Sequence, residues 1–134
     1  MKEEAFERCT FRTIDLPAHV RSLGSGCFRG SGLTSIVVPD KVYILREGCF
    51  EDCIHLAEVI FGPGSELGIL SARAFQRSGV RELNFTKRLK EVGDRCLAEC
   101  RSLVKLTFEI GTILAAIGRE ILDGSNMPGV RLPY

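Results

Sequence analysis

One signature recurs along this chain: an apolar residue, another three positions later, and a third two positions after that. Its first column reads Phe11, Leu33, Leu56, Val80, Leu103 and Met127, at spacings of 22, 23, 24, 23 and 24 residues. The second reads Ile14, Ile36, Val59, Leu83, Leu106 and Val130, and the third Leu16, Val38, Phe61, Phe85, Phe108 and Leu132. The chain is 45% apolar overall. Filling all eighteen positions by chance has odds of roughly one in a million before the choice of frame is counted. Self-similarity at a fixed period of this length marks a repeat architecture.

Further columns keep the same register. One reads Val20, Val42, Leu67, Leu89 and Leu114, and three residues on another reads Leu23, Leu45, Leu70, Val92 and Ile117. A closing pair reads Ala5-Phe6, Cys27-Phe28, Cys49-Phe50, Ala74-Phe75, Cys96-Leu97 and Ile121-Leu122. All eight phenylalanines sit on these columns, so each is expected in a core. The frame divides residues 1–134 into one domain: a part-copy 1–10, copies 11–32, 33–55, 56–79, 80–102 and 103–126, and a part-copy 127–134.

Each signature segment is short and rich in β-branched and aromatic residues, which predicts a strand. Proline ends it at Pro17, Pro39 and Pro133. The Ala/Cys-Phe stretch has helix-like spacing over about one turn. A unit this small cannot bury its apolar side alone, but stacked copies can. Identical consecutive units pair like strand with like strand, predicting a parallel sheet. Six such strands span roughly 24 Å.

Six cysteines in a short chain raise the question of disulfides. The columns supply a different account. Cys27, Cys49 and Cys96 share a column with Ala5, Ala74 and Ile121, whereas Cys9, Cys53 and Cys100 alternate with Ser31, Ser78 and Ser125. Both are small-residue columns, and a free cysteine packs as a small hydrophobe. Gly32, Gly79 and Asn126 follow the serines, and a left-handed turn residue is expected there. Cys27 and Cys49 alone lie in one column of adjacent copies, close enough to bridge, but paired free thiols are favoured. Zinc would need Cys49/Cys53 and Cys96/Cys100 to converge, yet these pairs stand two copies apart, roughly 10 Å. Cys53 and His55 form a short-range pair without a third orienting group, so no catalytic dyad is expected. The Gly24-Ser25-Gly26 and Gly30-Ser31-Gly32 stretches lack the Lys-Ser/Thr of a phosphate loop.

The copy Leu33-x-x-Ile36-x-Val38-Pro39-x-x-Val42-x-x-Leu45-x-x-x-Cys49-Phe50-x-x-Cys53 resembles the BspA-like, or Treponema-type, leucine-rich repeat. That family's unit runs Leu-x-x-Leu-x-Leu-Pro-x-x-Leu-x-x-Ile-Gly-x-x-Ala-Phe-x-x-Cys. The resemblance covers residues 5–133. The family's glycine is kept at Gly24, Gly93 and Gly118 but is Arg46 and Ser71 elsewhere, and Gly62-Pro63-Gly64 adds a residue to its copy. The resemblance implies a repeat solenoid: a right-handed leucine-rich-repeat horseshoe with a parallel β-sheet on its concave face. Its convex side would carry short turns, strands or one-turn helices. It further implies a cell-surface or secreted protein binding other proteins, often in adhesion, without catalysis or cofactor.

On that fold the residues between the apolar columns form the concave face. They are Thr13 and Asp15, Ser35 and Val37, Glu58 and Ile60, Glu82 and Asn84, Lys105 and Thr107, then Gly129 and Arg131. These are the candidate ligand-binding residues. Adjacent apolar Val37 and Ile60 suggest a contact patch, as do Tyr43, Ile44 and Ile69 on the opposite side. Eighteen basic against seventeen acidic residues leave a charge of +1, which argues against nucleic acid. No run of eighteen apolar residues predicts a membrane span, and the opening MKEEAFERCT has no signal-peptide core. Both ends of the array look open, so residues 127–134 would be an exposed edge strand favouring end-to-end self-association. The alternative to a binding scaffold is a spacer segment of a longer array.

Overall fold

A computed structural model describes residues 1–127. Among these, the chain forms nine strands: β1 (Ser22–Leu23), β2 (Ser35–Val38), β3 (Ile44–Leu45), β4 (Glu58–Phe61), β5 (Ile69–Leu70), β6 (Glu82–Phe85), β7 (Glu91–Val92), β8 (Lys105–Phe108) and β9 (Ala116–Ile117). They build two parallel sheets. The four-residue strands order as β2-β4-β6-β8, and the two-residue strands as β1-β3-β5-β7-β9. Every sheet neighbour is the equivalent strand of the adjacent copy, so the chain is a β-solenoid.

The core lies between the two sheets. Alternation in β2 turns Ile36 and Val38 inward and leaves Val37 outside, as the two-residue period of a strand requires. Leu33, Leu56, Val80 and Leu103 enter the same core just before their strands. The thin second sheet contributes Leu23, Leu45, Leu70 and Val92. The convex strands therefore end on the column that the spacing marked as apolar.

Phe6, Phe28, Phe50 and Phe75 stack in one row. Successive ring centroids lie 5.4, 5.5 and 5.3 Å apart, with interplanar angles of 11°, 3° and 9°. A second row, Phe61, Phe85 and Phe108, is tilted, with centroids 5.4 and 5.8 Å apart. Phe6 extends the first row into the part-copy that precedes Phe11.

The stretch around each ring forms turns, and no helix forms there. Gly26 and Gly30 have φ of 60° and 66°, and the same left-handed pair recurs at Glu4/Arg8, Gly48/Asp52, Arg73/Arg77, Arg95/Glu99 and Glu120/Gly124. Across this stretch successive N–H groups bond in opposite senses. Gly26, Phe28 and Gly30 donate to Glu47, Cys49 and Glu51 of the next coil, all at 2.9 Å, while Cys27, Arg29 and Ser31 donate back within their own coil. The same three bonds cross each junction from residues 4, 6 and 8 through to residues 95, 97 and 99. They offset the left-handed conformations, which cost about 1–2 kcal/mol at a non-glycine residue.

Gly32 and Gly79 do not adopt the left-handed conformation expected of them; nor does Asn126. The two glycines instead allow close approach: a Cβ on Gly79 would stand 2.5 Å from the Ile54 carbonyl oxygen. The first copy also departs from expectation. Residues 11–16 form no strand, and Phe11 is 37% exposed, so it is not a core residue. This segment lies beyond the edge strand β2 and does not join its sheet. Its backbone contact with the next coil's strand region is the bond from Thr34 N–H to Arg12 O, 2.9 Å. The expected strand from Met127 onward lies, beyond Met127 itself, outside the described residues.

Candidate functional site

The outer face of the β2-β4-β6-β8 sheet carries two columns of side chains. Register places Ser35 beside Glu58, Val37 beside Ile60, Glu82 beside Lys105, and Asn84 beside Thr107. Eight of the ten candidate residues on described strands or segments are thereby brought onto one surface. Thr13 and Asp15 are exposed but lie outside the sheet, because their segment forms no strand. Gly129 and Arg131 lie outside the described residues.

The apolar pair is exposed as expected, Val37 at 58% and Ile60 at 44%. The polar residues are linked: Asn84 Nδ2 donates to Glu82 Oε1 at 3.0 Å, and the Thr107 hydroxyl donates to Asn84 Oδ1. Between these two halves the sheet changes. β2 and β4 pair over four residues, as do β6 and β8, but β4 meets β6 at the single pair Glu58–Glu82. A groove of about 520 Å³ opens there, lined by Ser35, Glu58, Ile60, Glu82 and Asn84 together with Thr34, Ala57 and Arg81.

Thr34, Ala57 and Arg81 were not among the candidate residues. Each directly precedes its strand, so the alternation rule between apolar columns passes over it. Loops of three and five residues alternate along the whole sheet, so loop length does not single out this junction. On the opposite side, Tyr43 is 45% exposed, whereas Ile44 is buried and Ile69 is half-buried. The three do not make the exposed cluster expected of them.

Five of the six free cysteines are buried. The Cys53 and Cys100 thiols donate to the Phe28 and Phe75 carbonyls, both at 3.0 Å, and each lies 3.6 Å from the hydroxyl of Ser31 or Ser78. Burial pushes the Cys53 and Cys100 thiols up from the ordinary value and raises Cys27 to about 11. Low-pKa thiolates are the reactive ones, and His55 is exposed while Cys53 faces inward. Among the described residues no three His, Cys, Asp or Glu side chains gather as a metal-binding group. No helix there is long and apolar enough to cross a membrane.

Known proteins share this architecture. The pneumococcal vaccine antigen PcpA superposes with a TM-score of 0.69 at 18% identity, over 92% of this chain and 40% of that one. A leucine-rich repeat protein from Bacteroides ovatus superposes with a TM-score of 0.64 at 22% identity, over 98% and 46%. A leucine rich cell surface protein from Faecalibacterium prausnitzii superposes with a TM-score of 0.60 at 18% identity, over 79% and 35%. The chain thus spans less than half the length of each. At these identities the likeness bears on the fold. No curated protein sequence matches the chain. The family model for the BspA type leucine-rich repeat region matches residues 1–128 in six copies. With its columns, stacked coils and family model in agreement, the chain belongs to the BspA-type leucine-rich repeat family.

Proposed function

We propose that the chain is a non-catalytic interaction scaffold that binds a protein ligand through the face of the four-stranded sheet. Ser35, Val37, Glu58, Ile60, Glu82, Asn84, Lys105 and Thr107 supply that surface, and Thr13 and Asp15 flank it. The observation that carries this reading is the groove between β4 and β6 beside the exposed pair Val37 and Ile60. A concave, partly apolar site with a few convergent polar groups is where a ligand gains most from contact, and exposed apolar neighbours lose water on docking. Placement at a cell surface is proposed by analogy with the structurally similar surface proteins, and adhesion with it.

The test is binding of a panel of purified surface and extracellular-matrix proteins to the wild-type chain and to Ile60→Glu. Lys90→Glu, on the opposite side of the coil, is the control. A ligand for this face should lose at least about tenfold in affinity to Ile60→Glu, or about 1.4 kcal/mol. It should be unaffected by the control. A spacer would bind none of the panel, or would bind without regard to Ile60.

A further inference from the structure

Glu58 and Glu82 stand directly opposite each other on adjacent parallel strands, where strand spacing is about 4.8 Å. Like charges so placed destabilise a sheet. The carboxylates nevertheless share the groove and project from the same exposed face. Among the described residues neither enters an ion pair, although Arg29, Arg73, Arg77, Arg88 and Arg95 all do. Glu58 has Ser35 on its other side. Lys105 lies beyond Glu82, and Arg81 lies at the groove's rim; neither is paired with either carboxylate. Glu82 is held in place by the bond from Asn84, itself anchored by Thr107. Two residues on from Glu58, Ile60 offers an apolar floor on the same face.

Resting on the sheet face as the contact surface, we propose that this groove receives an arginine side chain of the protein ligand. The guanidinium lies between Glu58 and Glu82, and the aliphatic stem packs on Ile60. A planar guanidinium offers donors to two carboxylates at once, and its methylene stem covers apolar surface while the head stays at the polar rim. The incoming cation relieves the repulsion that the free protein carries. Stability and binding therefore oppose each other at Glu58: Glu58→Gln should raise the urea midpoint of the free chain and weaken the ligand.

The probes are acetyl-Leu-Arg-Leu-amide and the same peptide with citrulline, the neutral isostere of arginine, titrated into the isotopically labelled chain and followed by amide shifts. The arginine peptide should move the Glu58, Ile60, Glu82 and Asn84 signals. The citrulline peptide should bind about tenfold more weakly, and so should the arginine peptide to Glu58→Gln or Glu82→Gln. Raising salt to about 0.5 M should weaken the arginine peptide alone. Equal shifts from both peptides, arginine-peptide shifts confined to other residues, or no shifts at all would overturn the proposal. A protein ligand that is sensitive to Ile60→Glu but indifferent to salt, Glu58→Gln and Glu82→Gln would also overturn it, while leaving the sheet face as the contact surface.

Discussion

At the scale of single residues, the alternating Cys/Ser column has a specific chemical basis. Size alone suggested interchangeable small side chains. The structure adds that Cys53 and Cys100 each donate to a phenylalanine carbonyl of the preceding coil. Ser125 makes the corresponding bond to the Leu97 carbonyl at 2.7 Å. A hydroxyl can thus take the thiol's place. Cys53→Ser should change stability by less than about 1 kcal/mol in urea unfolding. Cys53→Leu overfills the column and should cost about 1–3 kcal/mol. The thiols also make the fold sensitive to alkali. Cys27 has its pKa raised from 9.0 to about 11 by burial, so the folded state favours the neutral thiol. Its contribution is complete below the unfolded pKa and is lost as pH rises towards 11. Cys53 and Cys100 shift in the same direction. Stability should hold steady to about pH 8.5, then fall by up to about 1.4 kcal/mol per pH unit for each buried thiol. Urea midpoints across that range check the sign.

At the scale of elements, the strands of the longer sheet were legible because their apolar alternation repeats in register. Ile36/Val38 and Leu83/Phe85 turned inward as the spacing required. The turn stretch was less legible. Ala/Cys-Phe-x-x-Cys/Ser has the spacing of one helical turn, and nothing in the letters Arg73, Arg77, Arg95 or Glu99 announces a left-handed residue. Only the hydrogen bonds to the neighbouring coil impose it. The first copy misled because its columns match while its backbone does not join the ladder of β2. The candidate face was readable from alternation, whereas the groove depends on β4 and β6 pairing only at Glu58–Glu82, which no column of the sequence announces. Glycine at the family's conserved position has a packing cause. A Cβ on Gly93 would lie 2.5 Å from the Ala72 nitrogen of the preceding coil. Gly93→Ala should force the β5 and β7 coils apart and cost about 1–3 kcal/mol, read as a lower midpoint in chemical denaturation.

At the scale of the whole molecule, each coil depends on its neighbours for a dry interior, as expected of a repeat array. Phe50 lies between Phe28 and Phe75 and is fully buried. Phe50→Ala removes both stacking contacts and leaves a cavity, so it should cost about 3–5 kcal/mol in equilibrium unfolding. Phe11→Ala, at the exposed start of the stack, should cost far less. The central claim is that the copies align coil on coil. Its most direct test is a nuclear Overhauser measurement between the rings of Phe28, Phe50 and Phe75, each labelled in turn. The stack predicts strong cross-peaks for Phe28–Phe50 and Phe50–Phe75 and none for Phe28–Phe75. Missing neighbour peaks, or a direct Phe28–Phe75 contact, would contradict it.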